Sequence, residues 1–140
     1  MKKIVVLIVL SALVLTSCSA AVSFTDAEKY GEYLMDAGYT AYIITDDYTS
    51  TPESLQTTFT TMLVLEMVLM KSDADLLPEK ALLAADGDQM NVIVVFYFAD
   101  EATAQLAISA MADYQVSESN KLDFNLEQSA NALKIAISQT

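Results

Sequence analysis

Residues 92–98 read Val-Ile-Val-Val-Phe-Tyr-Phe, an apolar run without a polar position. Successive side chains of a β-strand point to opposite faces. Val92, Val94, Phe96 and Phe98 therefore fall on one face, and Ile93, Val95 and Tyr97 on the other. A sheet covered on one face only shows apolar and polar residues in alternation. This segment shows none, and three large side chains left in water would form an apolar patch of a kind that isolated soluble domains avoid. The fold must cover both faces of this strand. Either another element of the chain forms a third layer, or a second copy or a partner lies over the exposed face.

The elements around this strand follow from local signals. Asp86-Gly87-Asp88-Gln89-Met90 separates Lys80–Ala85 from Asn91–Phe98, and the Asp-Gly pair marks a β-hairpin. Thr25-Asp26-Ala27-Glu28 reads as a capping box opening a helix over 25–37, with Ala27, Tyr30, Leu34 and Ala37 as its stripe and Gly38 as its end. Tyr39–Thr45 is aromatic and β-branched, a first strand. Pro52 opens a helix of about residues 53–71, whose stretch Met62–Met70 has Glu66 as its one charge. Asp100 caps a third helix with the stripe Ala104, Ala107, Ile108, Met111 and Tyr114. Leu122 and Phe124 alternate with Lys121 and Asp123 as a short strand. Leu126, Ala130, Leu133 and Ile137 predict a last helix over 126–138.

The expected class is α+β. The middle six elements, β-α-β-β-α-β, are those of a ferredoxin-like core, a four-stranded antiparallel sheet with two helices on one face. The N- and C-terminal helices are then spare, and at least one is expected to pack over Ile93, Val95 and Tyr97. The competing architecture is mostly helical with one β-hairpin.

Composition excludes several functions. Seven lysines, no arginine and nineteen acidic residues give a net charge of −12. Such a surface repels phosphate backbones, so no nucleic acid is expected as a partner. There is no histidine and one cysteine, Cys18. A Ser-His-Asp or Cys-His unit cannot be assembled, nor a zinc site built on His and Cys. No cofactor and no metal is expected.

Met1-Lys2-Lys3 is a positive start, and Ile4–Leu15 is a run of 12 residues interrupted by Ser11 alone. That is the length of the apolar core of an export signal and short of the ~20 residues needed to span a bilayer. Leu15-Thr16-Ser17-Cys18 follows. These first twenty residues resemble those of bacterial lipoproteins, in which a Leu and two small residues precede the lipid-bearing cysteine. The resemblance implies a signal peptide over 1–17, a lipidated Cys18 with a short tether over 18–23, and a single α+β domain over 24–140. It also implies membrane lipid as a partner through Cys18 and a location on the extracytoplasmic side of the cell membrane. In a cell with two membranes, Ser19 in place of Asp implies the outer one. Removal of Lys2 and Lys3 takes the net charge to −14. The tether from Ser19 to Ser23 reaches about 17 Å at full extension.

The mature part resembles small envelope lipoproteins in its signal and anchor only. Its expected role is a binding or protein-interaction module of the cell envelope, with an envelope protein or a small ligand as partner. Five tyrosines lie between Tyr30 and Tyr48. Tyr offers area and a polar tip, so Tyr33, Tyr42 and Tyr48 are candidates for an interaction surface, while Tyr30 suits the core. Met62, Met67 and Met70 read as core filler. The acidic pairs Asp46-Asp47, Asp73/Asp75 and Asp86/Asp88 lack the remaining oxygens of a calcium loop. A hydrolase built on two carboxylates is the alternative function, without a particular pair to carry it and with no residue assigned as catalytic.

Overall fold

The computed structural model describes residues 23–45, 51–88, 90–118 and 123–138. In chain order they form α1 (Ala27–Asp36), β1 (Thr40–Ile44), a 3-10 turn (Glu53–Leu55) running into α2 (Gln56–Ser72), β2 (Lys80–Ala85), β3 (Asn91–Tyr97), α3 (Glu101–Glu118), β4 (Asp123–Ser129) and β5 (Ala132–Ser138). The fold is α+β, with one sheet in the order β1-β2-β3-β5-β4 and every neighbouring pair antiparallel.

Local chemistry sets the helix ends. Asp26, one residue later than the capping box placed it, caps α1 by accepting from the Lys29 N–H at 3.1 Å. At the other end Gly38 adopts φ +98°, a conformation that favours glycine. The Tyr39 N–H then donates to the Leu34 carbonyl and the Gly38 N–H to that of Met35. This is a Schellman closure, with Tyr39 packed against the cluster that holds Leu34. Asp100 caps α3 by accepting from both the Thr103 hydroxyl and its N–H, which holds the Asp100 carboxyl below its usual value.

The sheet departs from expectation in two places. Residues 126–138 are not a helix. They are most of a hairpin, with Leu133, Ile135 and Ile137 buried at a spacing of two against Lys134 and Ala136. The four-stranded ferredoxin-like core is therefore a five-stranded sheet. Its first half also differs, since β1 and β2 are direct antiparallel neighbours and α2 is an excursion that returns to the same end of the sheet. The second half keeps the split form: β4 runs parallel to β3, joined to it through α3, and β5 lies between them.

The hairpin turns on Ala130-Asn131 without glycine. Ala130 sits at φ 50°, in the left-handed region. Asn131 compensates, because its side-chain amide donates to the Phe98 carbonyl at 2.8 Å while its own carbonyl accepts from the Phe98 N–H at 2.9 Å. Ala130→Gly removes a left-handed penalty of about 1–2 kcal/mol and adds glycine's entropy cost. The expected net gain is about 0.5–1 kcal/mol, seen as a rise of a few degrees in melting temperature. An unchanged or lower value would show the turn to be unstrained.

The molecule has three layers. On one face of the sheet, Met62, Leu65 and Leu69 of α2 and Ala104, Ala107 and Met111 of α3 pack with Leu83, Val94, Phe96, Leu133 and Ile135. On the other, Ala27, Tyr30 and Leu34 of α1 pack with Leu82, Ala84, Ile93, Val95 and Tyr97. The second face of β3 is thus covered by a terminal helix, as its lack of alternation requires; Ile93, Val95 and Tyr97 are all buried. The Tyr97 hydroxyl donates to the Phe24 carbonyl at 2.8 Å, tying the start of the described chain to the middle of the sheet. Toward the edge of α1, β4 and β5 present Asn125, Glu127, Ser129 and Lys134 on that same side, so the sheet turns polar where its cover ends.

Among the described residues, one polar group in this core is unmatched. Thr60 and Thr61 donate their hydroxyls to the carbonyls four residues back. Thr58, fully buried, has no hydrogen-bond partner for its hydroxyl. An unsatisfied buried hydroxyl costs about 1–3 kcal/mol. Thr58→Val is expected to stabilise the protein by about 1 kcal/mol in a denaturant titration, whereas a loss would mean that the hydroxyl is hydrated.

Candidate functional site

Helix α2 is apolar on two sides, which a helix between a core and water has no reason to be. Its inner line is Thr58, Met62, Leu65 and Leu69. Its outer line is Leu63, Val64, Met67 and Met70, spaced as neighbours on one helical face, with 38, 47, 68 and 46 % of their surfaces exposed. The expectation that the three methionines fill the core holds for Met62 alone. Met67 and Met70 point outward, because a nine-residue apolar run on a 3.6-residue period cannot turn every side chain to one face.

Beside this line, Val64, Met67, Val68, Lys71 and Ser72 of α2 and Ala110, Asp113 and Tyr114 of α3 enclose a groove of about 650 Å³. Leu106, 59 % exposed, lies one turn before Ala110 on α3 and carries the apolar surface onward. Lys71 and Asp113 are the charged residues of the lining, and they have opposite signs. Burial holds the nearby Glu66 carboxyl of α2 above its usual value, with desolvation as the cause. Methionine side chains suit such a surface, since they are flexible and polarisable and repack against varied shapes.

Two smaller cavities lie on the α1 side. One, of about 310 Å³, is lined by Phe24, Tyr30, Tyr33, Glu127 and Lys134. Its cation is already engaged: the Lys134 ammonium lies 5.7 Å from the Tyr30 ring centre and 5.9 Å from that of Phe24, with Glu127 at 4.0 Å. The other, of about 350 Å³, runs between α1 and β1 and is bordered by Glu28, Glu32 and Met35.

Of the candidate tyrosines, Tyr33 and Tyr42 lie on opposite sides of the sheet. Tyr33 is exposed and stacks on the buried Tyr30 at 5.8 Å on the α1 side. Tyr42 is half-buried and packs against the core on the α2–α3 side, across the sheet. Tyr48, Cys18 and the pair Asp46-Asp47 lie outside the described residues. The other acidic pairs serve turns: Asp73 accepts from the Asp75 N–H, and Asp86 accepts from Asn91 and from the Met90 N–H. Among the described residues no three carboxylates gather as a metal site requires, and no helix is long and apolar enough to cross a membrane. No family model, no curated protein and no solved structure matches the chain.

Proposed function

We propose that the mature chain is a membrane-anchored interaction module of the cell envelope, held by lipid at Cys18 on the extracytoplasmic side and docking its partner on the outer face of α2 and α3. The outer apolar line of α2 is the observation that carries the docking reading. A stripe of four large exposed side chains beside a groove costs solubility, and a surface of that kind is a recurrent mark of a protein–protein contact. The arrangement about the sheet favours it as well. The described chain begins on the α1 side, where Phe24 packs, and the groove lies on the opposite side. A tether at the chain's start therefore leaves the groove clear of the bilayer.

Both halves of the reading are testable in intact cells. Cys18→Ala is expected to abolish incorporation of labelled fatty acid and to leave unprocessed precursor; full labelling of that variant would remove the anchor. A photo-crosslinking residue at Met67 is expected to give adducts, and the same residue at Glu32, exposed on α1, is expected to give none. Equal yields at the two positions would remove the docking surface.

A further inference from the structure

We infer that the occupant of the α2–α3 face is a second copy of this chain, joined through a two-fold axis near Met67. This inference deepens the docking reading and rests on it. Three observations select a second copy.

The first is shape. Leu63, Val64, Met67 and Met70 run along one face of a helix of 17 residues. An isologous contact needs a patch complementary to itself. Two such helices laid antiparallel across Met67 place Leu63 and Val64 of each copy against Met70 of the other. The groove beside α3 receives the long methionine side chains.

The second is area. The exposed parts of these four residues and of Leu106 amount to several hundred Å² of apolar surface. A standard interface buries about 800 Å² per partner, somewhat over half of it apolar. The patch supplies the apolar share of a stable dimer.

The third is charge. With nineteen acids against seven lysines, two copies repel one another over most of their surfaces. Helix α1 would set Asp26, Glu28, Glu32 and Asp36 against their duplicates with Lys29 as its one cation. The lining of the α2–α3 groove carries one charge of each sign, Lys71 and Asp113, and Glu66 at its edge is held above the usual carboxylate range by burial, which eases its meeting with its duplicate. Each copy offers the other both signs.

The test uses the full chain in its own cells. The sequence has one natural cysteine, Cys18, so Met67→Cys introduces a defined probe. Mild oxidation is expected to give a reducible species of twice the monomer mass with Met67→Cys and none with Glu32→Cys. In parallel, two differently tagged copies are co-expressed and extracted in mild detergent. Their co-capture is expected to fall about tenfold or more with Met67→Glu, a change at an exposed position, and to be unaffected by Glu32→Gln. Absence of the Met67→Cys dimer, or co-capture indifferent to Met67→Glu, overturns the second copy. If photo-crosslinking at Met67 then yields adducts of another mass, the docking surface stands and its occupant is a different protein. If it yields none, both readings fall.

Discussion

Phe96→Ala lowers the unfolding free energy by about 3–5 kcal/mol. The melting temperature falls by more than about 10 °C, and the loss appears as a lower denaturant midpoint at constant slope. Phe96 is fully buried on the middle strand of the sheet, opposite Ala81 on β2 and Leu133 on β5. Its ring meets that of Phe98 at 6.3 Å. Small side chains share its cluster: Ala81, its partner on β2, and Ala104 and Ala107 of α3. Those side chains are too short to move into the vacated volume, so the cavity term adds to the lost transfer energy. A cost under about 1.5 kcal/mol would mean that α2 and α3 collapse onto the sheet and that this layer is loosely packed.

Leu34→Ala tests the third layer. The side chain is 3 % exposed and packs with Tyr30 against the face formed by Leu82, Ile93 and Val95. The expected cost is about 2–4 kcal/mol, the range for a leucine truncated in a true core. The Leu34 carbonyl still accepts from Tyr39 in the variant, so the helix end persists and the loss reports packing alone. Met35→Ala, at a side chain more than half exposed on the same helix, should change stability by no more than about 0.5 kcal/mol. Equal small effects at both positions would show α1 to be draped over the sheet rather than packed into it.

The parts of this fold that could be read in the sequence were those where a local rule and a tertiary need coincide. Asp-Gly between two apolar runs gave a correct hairpin for β2 and β3, and it is the aspartate that holds the turn, its carboxylate accepting from the Met90 and Asn91 N–H groups. The unbroken apolar character of Ile93, Val95 and Tyr97 announced a third layer, because burial on both faces leaves no polar position to spare. The C-terminal hairpin was misread for the opposite reason. Leu126, Ala130, Leu133 and Ile137 fit a helical period, while Leu133, Ile135 and Ile137 also fit a strand. The turn that decides between them uses Ala130 in a left-handed conformation, held from afar by Asn131 and Phe98, and no composition signal marks it. The candidate site was half legible. The run from Met62 to Met70 was visible, but that α3 would cover one side of it and leave the other open is a matter of packing. Nearness in sequence does not carry over to the tyrosines, since the sheet separates Tyr33 from Tyr42.

The insertion of β5 between β3 and β4 also governs when the chain can fold. Both of its neighbours are made before it, yet neither edge is satisfied until residues 132–138 are free to enter. Until then β3 lacks a partner on one side, and Leu133, Ile135 and Ile137 are missing from the core. Among the described strands the last in sequence is the one that closes the sheet, and its pairing with β3 is a non-local step that comes late in folding. For a chain that crosses a membrane as a thread, as the reading of its first eighteen residues proposes, a sheet that closes only with residues 132–138 favours passage ahead of folding.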